Sequence, residues 1–224
     1  MSERYFALQA SLPPLPYFAT AVRLPISDLR IGQRRSLLTP DDRRALETAM
    51  DLVRWRRQLP EASDQRVALM YRRFMQECQN EELKAFVQFR AGLRAVMAAL
   101  RSKRRHQEPR SDQLCGFGHW DYVIRKRWHE PDLGLSHVFP WIGEAHHLLE
   151  SGDALALEKL LMDAVWNRLQ PLNDAYPFRF EAIFAYIFKW DILARWLGFN
   201  ADGARARFAA MLGEVYGDYR IEFN

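Results

Sequence analysis

Cysteine is scarce in this sequence: Cys78 and Cys115 are the only two among 224 residues. Two thiols cannot build the disulfide framework of a small secreted domain, so stability has to come from a packed core, and a reducing compartment is expected. No Gly-x-x-x-x-Gly-Lys-Ser/Thr loop and no Gly-x-Gly-x-x-Gly fingerprint occurs, which leaves nucleotide binding without its backbone cradle. No Ser/His/Asp or Cys/His set stands out as a nucleophile with its base, and no catalytic residue is assigned. The stretch MSERYFALQASLPPLPYF lacks an apolar run long enough for a secretory signal, and a cytoplasmic location is expected. Repeats, low-complexity tracts and useful lengths of strand-like alternation are missing too.

What remains is 49% hydrophobic and 13% aromatic, the composition of a folded chain with a real core. The apolar residues recur at three- and four-residue spacing, and the fold class expected is all-α, a multi-helix bundle. One helical domain is expected over 1–224, with an irregular N-terminal segment 1–38 and a possible sub-division near 106–133. The stretch 178–199, FRFEAIFAYIFKWDILARWLGF, is the organising helix, about 33 Å long at about 1.5 Å per residue. Pro177 suits its first turn, and Gly198 with Asn200 suits its end. Its apolar surface covers most of the circumference, which demands burial on several sides. Glu181, Lys189, Asp191 and Arg195 argue against a membrane span, because each charge near a bilayer centre costs at least about 2.5 kcal/mol. Asp191 and Arg195 are spaced as an i, i+4 pair on a water-facing strip.

Elsewhere the caps mark the helices. LPPLP at 12–16 and the stretch from Pro25 to Leu38 read as irregular, and RYFALQA at 4–10 fits a strand or a helical turn. Thr39-Pro40-Asp41-Asp42 opens a helix with Leu46, Ala49, Met50 and Val53 on its buried stripe, bounded by Pro60. Ser63 caps a second, with Val67, Met70, Tyr71 and Phe74 inward. Asn80-Glu81-Glu82 opens a longer one reaching about Arg105. After a loop at 106–113, Phe117, Trp120, Ile124 and Trp128 keep helical spacing. PWIGEAHHLLE closes on Ser151-Gly152, Asp153 caps the next helix, Pro171 ends it, and 200–215 forms the last.

Charge is unevenly placed. Lys84, Arg90, Arg94, Arg101, Lys103, Arg104 and Arg105 lie between Leu83 and Gln107 with no acid among them. The net charge is +4, so the rest of the chain is net −3. On a helical wheel Arg90, Arg94, Arg101 and Arg105 share an arc of about 60° beside the core face of Phe86, Phe89, Leu93, Val96, Met97 and Leu100. The plain reading is a solvated helix face. The functional one is a docking edge for an acidic partner, with Arg90, Arg94, Arg101, Lys103, Arg104 and Arg105 as candidate partner-binding residues.

Two metal readings carry less. Glu144 and His147 satisfy Glu-x-x-His, but a di-iron bundle needs that motif twice. Cys115 and His119 lack the further ligands zinc requires, and Gly116-Phe-Gly118 reads as a turn. No metal and no cofactor is assigned.

Several segments together carry a resemblance: RYFALQASLP, FRAGLRAVMAALRSKR at 89–104, and above all ALEKLLMDAVWNRLQPL followed by FRFEAIFAYIFKWDILARW over 156–196. They resemble a bacterial family of uncharacterised proteins encoded alongside V/A-type ATPase subunits. That family is similar in turn to the funnel-shaped central-stalk component of those rotary ATPases, known as the C subunit in bacteria and as d in eukaryotes. The strongest part is Glu158, Asp163 and Trp166 leading into Glu181, Tyr186 and Arg195-Trp196. The resemblance implies a shortened version of that funnel's helical architecture and a non-catalytic adaptor linking the central stalk to the membrane rotor ring. It implies the other ATPase subunits as partners, no small-molecule substrate, and membrane contact only through the complex. The chain is shorter than a typical stalk funnel, so an assembly or regulatory companion fits equally. The alternatives are a stand-alone basic helical module for nucleic acid or an acidic protein, and a metal-dependent helical enzyme using Glu144 and His147. Nucleic acid is the weaker partner, because no helix-turn-helix or RNA-binding signature accompanies the arginines.

Overall fold

The computed structural model describes residues 5–58, 64–107 and 119–219, with side-chain surroundings for 5–54, 66–107 and 120–199. Among these the chain is all-helical: α1 (Phe6–Ala10), a 3-10 turn (Phe18–Thr20), α2 (Asp28–Arg35), α3 (Pro40–Gln58), α4 (Asp64–Glu77), α5 (Glu81–Arg104), α6 (His119–Lys126), α7 (Ile142–Ser151), α8 (Ala154–Ala175) and α9 (Phe180–Tyr219). The Pro60 boundary, the Ser63 cap, most of the 106–113 loop, Phe117, the Gly116–Gly118 turn, Cys115 and the His119 side chain lie outside the described residues.

Where the sequence places caps, the helices begin. Thr39 Oγ1 accepts from Asp42 N at the start of α3, Asn80 Oδ1 from Leu83 N at 2.8 Å in α5, and Asp153 Oδ1 from Ala156 N at 2.9 Å in α8. Each satisfies an amide that the first helical turn leaves without a partner. Gly152, at φ 75°, closes α7 in the left-handed conformation that glycine adopts without strain.

Four expectations are corrected. The organising helix does not stop at Gly198 and Asn200; α9 continues to Tyr219 and absorbs the separately expected last helix. A glycine inside a helix costs only about 1 kcal/mol relative to alanine, which flanking helix formers such as Ala201 and Ala204 offset. Pro177 sits in the turn before α9, not in its first turn. Pro171 lies inside α8, which runs on to Ala175. Its missing N–H frees the carbonyl of Asn167, an exposed position where water can take the bond. Finally, the Pro25–Leu38 stretch is not wholly irregular. Ser27 accepts from Arg30 N and caps α2, with Asp28 in the first turn and Arg34 and Arg35 in the last.

α5 and α9 form the centre. α5 packs against α3, α6, α7, α8 and α9, and α8 pairs with α9 as an antiparallel hairpin. Phe86 meets Phe184 and Phe188 at ring-centroid distances of 6.4 and 4.6 Å. Of the core faces read from the sequence, Phe86, Leu93, Val96, Met97 and Leu100 on α5 and Leu46, Ala49 and Met50 on α3 are buried, while Phe89 and Val53 are half-buried at the edge of the core. Gly92 on α5 admits two aromatic rings. A Cβ there would lie 2.9 Å from Phe139 Cζ and from the Trp120 indole, so the closest approach of α6 and the 139 turn depends on that hydrogen. No helix among the described residues is long and apolar enough to cross a membrane.

The N-terminal residues 5–38 lie across the α8–α9 hairpin and form a strap. Tyr5 N donates to Phe178 O at 3.1 Å, and Phe178 N to Gln9 Oε1 at 2.6 Å. Tyr186 Oη donates to Pro13 O at 2.7 Å, and Trp190 Nε1 to Ile26 O at 2.9 Å. Phe18 is fully buried between Trp166 and Trp196, at centroid distances of 5.7 and 5.3 Å.

Candidate partner-binding face

The basic run on α5 does not act as one edge. Lys84 pairs with Glu81 one turn away. Arg90 and Arg94 are half-buried and border a void of about 10 Å³, room for one water, walled by Leu52, Val53, Val67 and Val87. Arg90 Nε is buried without a hydrogen-bond partner. Burial weakens the guanidinium's hold on its proton, with Arg195 adding to the effect and Asp191 and Glu158 opposing it. Its pKa is pushed down to about 10, and Arg90 stays charged at neutral pH.

Those neighbours form an interhelical layer. Arg54 of α3 grips Asp191 of α9 with two bonds, Nε to Oδ2 at 3.1 Å and Nη2 to Oδ1 at 2.5 Å. Arg195 of α9 pairs with Glu158 of α8 at 2.5 Å. The expected i, i+4 pair of Asp191 with Arg195 is therefore replaced by two bridges to other helices. The fork geometry of arginine makes the bidentate bridge the better of the two. Arg90 looks into this layer from α5, so four helices meet at it.

Beyond Leu100 the surroundings change. Arg101, Arg104 and Arg105 are exposed and make no ion pair among the described residues. Lys103 is tied down: Nζ donates to the carbonyl of Glu130 and stands 5.6 Å over the Trp128 ring. Burial lowers its pKa, against the pull of Asp132 and Glu130. Of the six candidate residues, the helix end thus offers Arg101, Arg104 and Arg105 as exposed cations with no ion pair among the described residues, while Arg90 belongs to the layer.

Residues singled out at 156–196 hold the strap to the hairpin. Tyr17 Oη donates to Asp163, which Lys159 also reaches at 3.4 Å. Burial and the Asp163 carboxylate push the Tyr17 hydroxyl up to about 12. Trp166 packs against Phe18 with its ring tilted 52° and lies under Lys189 Nζ at 5.2 Å. Lys189, nearly fully buried, donates to Gln170 Oε1 at 2.6 Å, and burial pulls its pKa down. Glu181, equally enclosed, accepts from Asn80 Nδ2 at 3.0 Å and Arg179 at 3.3 Å.

Among the described residues, the other opening brings together no convergent reactive set. A cleft of about 750 Å³ between α3, α4 and the start of α9 is lined by Asp41, Asp42, Arg44, Arg73 and Glu77; Arg44 pairs with Asp41, Arg73 with Glu77, and Asp42 accepts from Tyr5 and Thr39. At its margin Cys78 is buried, and burial raises its thiol pKa, the opposite of an activated nucleophile. Glu144 and His147 are exposed on α7, and among the described residues no three His, Cys, Asp or Glu side chains come together as a metal site.

Neither a curated protein nor a solved structure matches the chain. Residues 57–214 match the family model described as protein of unknown function, DUF2764; this is more than half of the sequence, and the chain belongs to that family.

Proposed function

We propose that this protein is a non-catalytic adaptor or accessory subunit of a bacterial V/A-type rotary ATPase, a proton- or sodium-translocating machine, placed between the central stalk and the membrane rotor ring. Its location is then peripheral, on the cytoplasmic face of the membrane. A single observation carries the reading: a closely packed, all-helical body presents Arg101, Arg104 and Arg105 at the end of α5 with no acid to satisfy them among the described residues. An adaptor transmits force through rigid packing and recognises its neighbours by complementary charge, and neither task needs a cofactor. The resemblance over 156–196 supplies the complex. Of the residues on which it rests, Glu158, Asp163, Trp166, Tyr186, Arg195 and Trp196 join α8, α9 and the strap, and Glu181 ties α9 to the start of α5.

The test is affinity purification of the tagged protein from its own membranes, with co-purifying chains identified. Stalk and ring subunits in fixed ratio are expected, and their loss from the Arg101→Glu, Arg104→Glu, Arg105→Glu triple variant places the contact at this face. Recovery of no ATPase component defeats the reading. The same free arginines support a second one, a stand-alone basic module. Steeply salt-dependent binding to DNA or RNA by the purified protein would favour it.

A further inference from the structure

We propose a second contact surface, separate from α5: the outer side of residues 22–37 is a binding site for an anionic lipid surface. This stretch, VRLPISDLRIGQRRSL, holds four arginines and one acid; Arg23, Arg30 and Asp28 are exposed, while Arg34 and Arg35 are half-buried, Arg35 reaching Met50 Sδ. Its inner side is spent on the fold, with Ile26 and Ile31 buried against Trp190. Its outer side is not. Val22 is 91% exposed, Leu29 74% and Leu37 64%, among the most exposed large aliphatics described in the chain. At about 100° per residue, Leu29, Arg30 and Gln33 fall within one arc of α2 of about 100°, facing away from Ile31, and the exposed Leu37 lies in the turn just after the helix. Arg23 and Arg30 are exposed and have no ion pair among the described residues.

Aliphatic side chains this exposed are knobs, not the walls of a groove. A protein partner would need a pit shaped for each of them, whereas the boundary between headgroups and acyl chains accepts any knob. Cations flanking the knobs then meet the phosphates. The strap is anchored at Tyr5, Tyr17 and Tyr186, so this surface is held on the rigid body and does not have to fold on contact. The expected membrane contact through a complex is thereby joined by a direct one. The inference is independent of the rotary-ATPase reading, since purified protein and lipid alone decide it.

The experiment is co-sedimentation of the full chain with phosphatidylcholine vesicles, with and without phosphatidylglycerol, over a salt series. Binding to the anionic vesicles only, falling as salt rises, is expected. Arg23→Gln and Arg30→Gln should each weaken it by about five-fold, the fold-change for about 1 kcal/mol per basic residue at such a surface. The Val22→Ser, Leu29→Ser double variant should weaken it at every salt concentration. All four positions are exposed, and an unchanged thermal melt verifies that folding is intact. Three results overturn the proposal: no sedimentation with anionic vesicles at low salt, undiminished binding by these variants, or loss of binding only in the Arg101→Glu, Arg104→Glu, Arg105→Glu variant. Retention on poly-glutamate without any vesicle binding also overturns it, and assigns the surface to an acidic protein.

Discussion

Arginines on one helix have two fates here. At the middle of α5, Arg90 faces the layer in which Arg54 holds Asp191 and Arg195 holds Glu158. At its end, Arg101, Arg104 and Arg105 face solvent with no partner described. The residue type and the side of the helix are nearly the same; what differs is whether other helices cover that turn. A charge under a helix must be matched locally, because burial removes its water. A charge beyond the last covering helix is left for whatever docks there. The difference separates an energetic role from a recognition role, and substitutions can pull the two apart.

The largest effect is expected at Asp191. Asp191→Ala removes the carboxylate that Arg54 grips and that offsets the charge of Arg90, leaving two cations facing each other's field. Both side chains of the bridge are about a fifth exposed, at 22% and 23%, which puts the pair between surface and buried cases. A loss of about 2 kcal/mol follows, between about 0–1 for an exposed pair and about 3–5 for a broken buried one. In a domain of this size the melting midpoint should fall by about 4–8 °C. Arg101→Ala, in the same assay, should move stability by no more than about 0.5 kcal/mol. Equal losses from the two variants would erase the distinction.

Next comes a loss that appears only at high pH, at the bond between Tyr17 of the strap and Asp163 of α8. The Tyr17 hydroxyl titrates at about 12 when folded and at 10.0 when unprotected. A phenol whose folded value is raised binds its proton more tightly in the native state. Its contribution is therefore complete below about pH 10 and disappears as pH rises from 10 toward 12. Denaturant melts at about pH 9 and about pH 11 should show a steeper loss for the wild type than for Tyr17→Phe. Parallel pH dependence would mean that this bond does not hold the strap.

These fates explain what could be read in the sequence. Helix starts were legible at Thr39, Asn80 and Asp153 because a cap is a local device, decided within four residues. The core faces of α3 and α5 were legible because periodicity survives packing. Helix ends read poorly: Gly198, Asn200 and Pro171 are weak stops that a favourable context overrides. α2 was missed although Ser27 and Asp28 mark its start, since neighbouring Pro25 suggested an irregular run. The basic arc on α5 was visible as an arc. Its division was not, because the partners of Asp191 and Arg195 lie on α3 and α8, and nothing local tells a buried arginine from a free one.

Arg90 gives the smallest change and the finest test of the comparison. Its Nε has no hydrogen-bond partner, and its neighbours Asp191 and Glu158 are already held by Arg54 and Arg195. Removing its charge therefore orphans no acid, unlike the loss of Asp191. Methionine keeps an unbranched stem against Leu52, Val53 and Val67 while discarding the desolvated cation. Replacing a buried charge by an apolar group of similar volume is commonly neutral or stabilising. Arg90→Met should then leave the melting midpoint unchanged or slightly raised, and leave association with any acidic partner untouched. A midpoint lowered as far as in Asp191→Ala would mean that Arg90 is a working member of the layer. A stable variant that lost its partner would return Arg90 to the recognition face, and the division of α5 would have to be redrawn about three turns nearer its start.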